Sequence, residues 1–137
     1  MSGSSLDARI IQALSAGQTE IDTEVSLNDL TADAIIRKSD HVILVEVKTG
    51  DARFPLPSST HSQMKQFVAE AREKYQQRIV PVVVTNYRVF PEMKDELEKD
   101  GIQVLSVDGS VSEIARQILR ADDIEGPAPV SAGPMVV

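Results

Sequence analysis

The chain of 137 residues contains no cysteine. Disulfides, thiolate nucleophiles and Cys-ligated zinc or iron–sulfur centres are thereby excluded. Two histidines, His41 and His61, are too few for a histidine cage around a metal. Aromatic residues are only 4% of the chain, which does not suggest stacking of single-stranded bases. No stretch approaches the roughly 20 apolar residues of a membrane span, so no membrane partner is expected. The opening Met1-Ser2-Gly3-Ser4-Ser5 lacks the basic-then-apolar layout of a signal peptide, and the expected location is the cytoplasm. Positive charge is also short. Fourteen Lys and Arg face 21 Asp and Glu, for a formal net charge of −7. A protein that coats nucleic acid is usually basic, so a polyanion could be held here only through a local basic surface or a bound cation.

What is present suits one soluble domain. Hydrophobic residues reach 42%, enough for a real core at this length. A single domain is expected over residues 1–120. Residues 121–137 read as a disordered tail, because the stretch from Gly126 on has three prolines, two glycines and no charge. No internal repeat is visible.

Periodicity orders the elements. Leu6, Ile10, Ile11 and Leu14 mark a short helix, with Ser4 or Ser5 as cap and Gly17 as stop. From Thr19 to Leu27 polar and apolar residues alternate, with Ile21, Thr23, Val25 and Leu27 on one face of a strand. Ala32–Arg37 and His41–Thr49 are two further strands, and the polar break Lys38-Ser39-Asp40 makes them a hairpin with His41 exposed at its turn. Gly50–Thr60 reads as a loop. Met64, Phe67, Val68, Ala71 and Tyr75 give an amphipathic helix over His61–Gln77, capped by Ser59 or Thr60. The apolar run Ile79–Thr85 is a strand covered on both faces. Pro91 opens a helix that Gly101 closes, Ile102–Val107 is a strand, and Ser110 caps a last helix over Val111–Leu119. The first three strands are antiparallel or mixed, and the later strand–helix–strand unit is parallel. The expected class is α/β, a three-layer fold with a central mixed sheet flanked by helices.

Chemistry concentrates on the hairpin. With Ser39-Asp40 as its loop, Lys38 faces His41 and Asp33 faces Glu46. Facing residues share one side of the sheet with Cβ atoms about 4.5–5.5 Å apart. Lys48 lies two residues beyond Glu46 and points the same way. Two carboxylates so close repel unless a proton or cation lies between them. Oxygen ligands of this kind suit Mg²⁺ or Mn²⁺, which can accept a phosphate oxygen and lower the pKa of a bound water. Lys48 could then orient that water or stabilise developing negative charge.

The stretches Ala32-Asp33-Ala34-Ile35-Ile36 and Val45-Glu46-Val47-Lys48 resemble the PD-(D/E)xK nuclease superfamily, the restriction-endonuclease-like fold. The likeness is to its archaeal Holliday-junction resolvase and RecB-type members. The resemblance implies metal-dependent hydrolysis of DNA phosphodiester bonds, on branched or structured DNA, by an endonuclease. It makes Asp33 and Glu46 the metal ligands and Lys48 the catalytic lysine. In those groups a glutamine begins the helix after the ExK strand. Gln63 is the better match and Gln66 the second.

Three features depart from the pattern. Ala32 replaces the proline that names the motif. The first helix offers Asp7 in place of a glutamate, with Glu20 or Glu24 as substitutes. The chain is acidic where junction-binding relatives are basic. Positive charge does gather locally, with six basic residues against three acidic ones from Lys48 to Arg78. Lys48, Arg53 and Lys65 are the expected contacts to DNA. A homodimer would give two cuts on two strands, and Tyr87, Val89 and Phe90 are its candidate apolar patch. The alternative is a catalytically silent nuclease-like module that binds nucleic acid or protein in a defence or repair complex. A structural ion-pair cluster would account for Asp33, Glu46 and Lys48 without chemistry, but a glutamate inside the apolar run Val42–Val47 needs a reason. A receiver-like or flavodoxin-like domain would need parallel strands from the start.

Overall fold

A computed structural model describes residues 6–17, 20–27, 30–107 and 110–121. The elements follow in the order α1 (Leu6–Gly17), β1 (Ile21–Leu27), β2 (Leu30–Arg37), β3 (His41–Lys48), α2 (Ser59–Tyr75), β4 (Arg78–Thr85), α3 (Pro91–Lys99), β5 (Gln103–Ser106) and α4 (Val111–Leu119). One five-stranded sheet has the spatial order β1-β2-β3-β4-β5. β1, β2 and β3 pair antiparallel, whereas β3, β4 and β5 pair parallel. The mixed sheet flanked by helices is the α/β class that the periodicity predicts.

Two cores explain the three layers. Ile10 and Leu14 of α1 and Ile114 and Ile118 of α4 pack on one face against Ile36, Ile43, Val45 and Val82. Met64, Phe67 and Ala71 of α2 and Leu97 of α3 pack on the other against Ile35, Leu44 and Val83. β3 and β4 are buried along almost their whole length, which is why they read as continuous apolar runs. Pro81 is compatible with β4 because the β5 ladder starts only at Val82↔Gln103. Gly101, at φ 77°, closes α3 in the left-handed region.

Several boundaries differ from expectation. α2 is capped by Ser58 in helical geometry with no side-chain bond, not by Ser59 or Thr60. Ser110 does cap α4, accepting from the Glu113 amide at 3.1 Å. His41 is buried, not exposed, because β4 covers it through the pairing His41↔Arg78. Its Nδ1 lies 2.6 Å from Asp40 Oδ1. Ala121, assigned to the tail, is fully buried beside α4. The rest of that tail, and Ser4, Ser5 and Thr19, lie outside the described residues. Among the described residues no helix is long and apolar enough to cross a membrane.

The largest correction concerns β1 and β2. The strict alternation expected over residues 19–27 breaks. Ile21 packs on the α1 side, while Val25 and Leu27 pack on the α2 side. Glu24 between them adopts φ 51°, a left-handed conformation that turns the strand over. β2 changes face at the matching place. Ala32 belongs to the α2-side core and Ala34 to the α1-side core, with Asp33 between them. No residue is inserted: Val25↔Ala32 and Thr23↔Ala34 keep one register on either side of the switch.

Candidate functional site

The β2–β3 ladder has the register that a Ser39-Asp40 turn dictates. Lys38 donates to the His41 carbonyl at 2.9 Å, and Ala34↔Val45 through Arg37↔Val42 follow in step. The paired ladder stops at Ala34↔Val45, and side chains take over beyond it. The Val47 amide donates to Asp33 Oδ2 at 2.7 Å. The Asp33 amide donates to Glu46 Oε1 at 3.3 Å. Asp33 and Glu46 thus fill the gap where the two strands part. Lys48, at the end of β3, brings Nζ within 3.9 Å of Glu46 Oε2. The structure therefore gathers Asp33, Glu46 and Lys48 in one place.

Burial sets the electrostatics. Glu46 is only 7% exposed, and desolvation followed by the Asp33 charge pushes its carboxyl up to about 7. Asp33 is also raised, first by burial, although the Val47 amide bond works in the opposite direction. Contact between the two carboxyls works against the rise of Asp33 and adds to that of Glu46. Lys48 favours the charged form of both. A second negative charge in this pocket calls for a counter-cation.

Beside the pair opens a cleft of about 460 Å³ lined by Asp7, Ile11 and Gln12 of α1 with Thr23, Glu24 and Asp33. Asp7 is close enough for its charge to raise Asp33 further. Gln12 and Thr23 were not anticipated. One helical turn spans Asp7 to Ile11 and Ala8 to Gln12, so a single face of α1 looks into the cleft. Only the docking of α1 over the face switch reveals which face it is.

Other candidates are placed elsewhere. Gln63 is half-buried in the first turns of α2, and among the described residues it makes no hydrogen bond to Asp33, Glu46 or Lys48. Gln66 bonds to Glu70 at 3.3 Å. Arg53 is 85% exposed at its side chain and tied to Asp51 at 2.6 Å. Lys65 lines a separate cleft with Val68, Arg72, Asp100 and Ile102. Glu20 and Asp22 pair with Arg37 at 3.4 and 3.1 Å, which occupies them as structural partners. Glu24 alone of the β1 acids lines the cleft with Asp33. His61 bridges to Asp100 on the α3 side at 2.6 Å. Of the apolar patch expected for a dimer, Tyr87 and Val89 pack onto the core, which leaves Phe90.

Whether a metal suits the site depends on its donors. Among the described residues no group of three or more His, Asp and Glu is arranged to hold an ion. Two carboxylates with raised pKa and a cleft open to water nevertheless fit a hard divalent ion. Mg²⁺ takes one or two carboxylates and keeps several waters.

Neither a protein-family model nor a curated protein matches the sequence. Solved structures do. A repair endonuclease from Pyrococcus abyssi aligns at TM-score 0.51 and 22% identity, over 65% of this chain and 38% of that one. A protein of unknown function, AF1548, aligns at TM-score 0.62 and 12% identity, over 93% of this chain and 71% of that one. The chain spans well under half the length of the repair endonuclease. These likenesses are of fold alone.

Proposed function

We propose that the chain is a metal-dependent nuclease of the PD-(D/E)xK kind, an endonuclease that hydrolyses phosphodiester bonds in branched or structured DNA. The observation that carries this reading is half-buried Asp33 bonded to buried Glu46, with Lys48 Nζ 3.9 Å from Glu46, set where β2 and β3 part. The fold shared with a repair endonuclease supports it.

Asp33 and Glu46 would hold Mg²⁺ or Mn²⁺. When bound, such an ion supplies a water of lowered pKa and a Lewis acid for the phosphate. The protein's own contributions follow from its contacts. The Val47 amide fixes Asp33 Oδ2, so that carboxylate arrives already oriented. To serve as a ligand Glu46 would have to be deprotonated, because a proton and a cation cannot occupy the same oxygens. Lys48, with Nζ 3.9 Å from Glu46 Oε2, orients the attacking water or offsets charge growing on the phosphate. Asp7 and Gln12 border the cleft through which solvent reaches Asp33. Gln63 has no place in this scheme as the side chains stand.

Cleavage of branched, linear and single-stranded DNA with Mg²⁺, Mn²⁺ or EDTA tests the proposal. Cutting should need the metal and fall at least about 100-fold in Glu46→Ala and in Lys48→Ala. Cutting that survives EDTA, or both substitutions, overturns it. No cutting of any DNA by folded protein favours the silent binding module.

A further inference from the structure

Two of the chain's five aromatic rings stand in solvent, and both lie just past the ends of β3 and β4. Phe54 is 59% exposed and Phe90 is 45% exposed. Phe67 lies in the core, and Tyr75 and Tyr87 pack against it. Exposing large rings is unfavourable, and here the backbone beneath them is fixed. Gly50 and Asn86 exchange hydrogen bonds of 2.9 and 2.8 Å. The Arg88 amide donates to the Phe54 carbonyl at 3.0 Å, and the Leu56 amide donates to the Arg88 carbonyl at 2.8 Å. Leu56 is buried and anchors the segment to the α2-side core.

Charge accompanies the rings. The Arg88 guanidinium lies 5.2 Å from the centre of the Phe90 ring. Among the described residues no carboxylate pairs with Arg88, whereas neighbouring Arg53 is neutralised by Asp51. The Arg88 charge therefore stands on an exposed ring with its phosphate-binding capacity free. Lys48 ends β3 opposite Thr85, and Gly50 and Asn86 are the next residues but one and the next, so the platform starts at the sheet end that holds Glu46 and Lys48.

We infer that Phe90 with Arg88 on its ring, and Phe54 on the segment bonded to it, form a stacking surface for an unpaired nucleobase of a nucleic-acid strand. A base offers a flat π-face of any sequence, and its flanking phosphate offers the negative charge that Arg88 lacks. A paired base is already stacked on both sides, so the surface favours unpaired, frayed or junction nucleotides over intact duplex. The low aromatic content argues against stacking, but content says nothing of placement: the two rings not used by the core both lie past the ends of β3 and β4. The direction in which the strand continues, towards Lys48, rests on the nuclease reading; the stacking itself does not.

The chain has no tryptophan, so Phe90→Trp introduces a single fluorescent reporter into the full protein. It is titrated in EDTA with oligothymidylate and with a fully paired duplex of equal length. Quenching should occur with the single strand at a concentration at least about tenfold lower than with the duplex, and Arg88→Ala in the reporter background should weaken it about tenfold. Anisotropy with labelled oligothymidylate should show a similar loss for Phe54→Ala. Equal response to both DNAs, or wild-type binding by the Phe54→Ala/Phe90→Ala variant, overturns the inference. So does a dimer in sedimentation that this variant converts to monomer, since the rings would then be an interface between copies. Metal-dependent cutting that persists without stacking sinks this inference alone, whereas stacking without cutting sinks the nuclease reading alone.

Discussion

The Val47 amide bonds to the carboxylate of Asp33 at 2.7 Å, although strand register assigns it the carbonyl of Ala32. One side chain thus completes the sheet and orients the site at once. Asp33→Ala should leave that buried amide without a partner and cost about 1–3 kcal/mol in denaturant unfolding. Asp33→Asn keeps an oxygen for the amide and should cost about 1 kcal/mol or less. Both should lower the pKa of Glu46 in a carboxyl NMR titration, because the Asp33 charge is the second cause of its rise. Equal destabilisation by the two substitutions would refute the split role of Asp33.

Glu46 should make the protein less stable as pH rises. Its folded pKa is raised to about 7 from 4.5. Between those values the unfolded chain has released the proton and the folded chain still holds it. Stability is therefore complete below about pH 4.5 and falls up to about pH 7, by at most about 3 kcal/mol. Asp33, also raised, contributes with the same sign. Glu46→Gln should flatten the decline, so that its Tm relative to wild type is more favourable at about pH 8 than at about pH 4. An unchanged slope in that variant would show that burial of Glu46 is not the cause.

The hairpin and its ionic cluster were legible in the sequence because local chemistry determines them. A polar Lys38-Ser39-Asp40 break between two apolar runs allows few registers, and the register decides what faces Glu46. The face switch was not legible. It depends on Glu24 adopting φ 51°, and glutamate carries no signal for that conformation as glycine would. The cleft under α1 follows from that switch and was hidden with it. Arg53 shows another limit: composition counts its charge, but only coordinates show Asp51 cancelling it. Lys65 lies on the solvent side of α2, where periodicity separates inside from outside but does not say which neighbour comes closest.

Gly50 is needed for close approach. A Cβ there would overlap the Tyr87 hydroxyl and lie 2.5 Å from its Cζ. Gly50→Ala should therefore displace the Tyr87 ring and destabilise the protein by about 1–3 kcal/mol. Tyr87→Ala removes the clash, so the double variant should be more stable than the sum of the single losses predicts. Additive losses in that cycle would place the strain elsewhere.

Metal binding should be coupled to the proton on Glu46. Mg²⁺ competes with that proton for the same oxygens, so affinity should increase as pH passes through about 7. A ligand that binds only the folded state raises stability by mass action, about 1.4 kcal/mol at tenfold over Kd. At about 10 mM Mg²⁺ and a Kd near 1 mM, that is a Tm increase of a few degrees. The increase should be present at about pH 8, small at about pH 5, and absent in Glu46→Gln and Asp33→Asn, with proton release detectable by calorimetry in buffers of different ionisation enthalpy. The same increase in wild type and in both variants would mean that Mg²⁺ binds elsewhere on an acidic surface, and the paired carboxylates would lose their role as ligands.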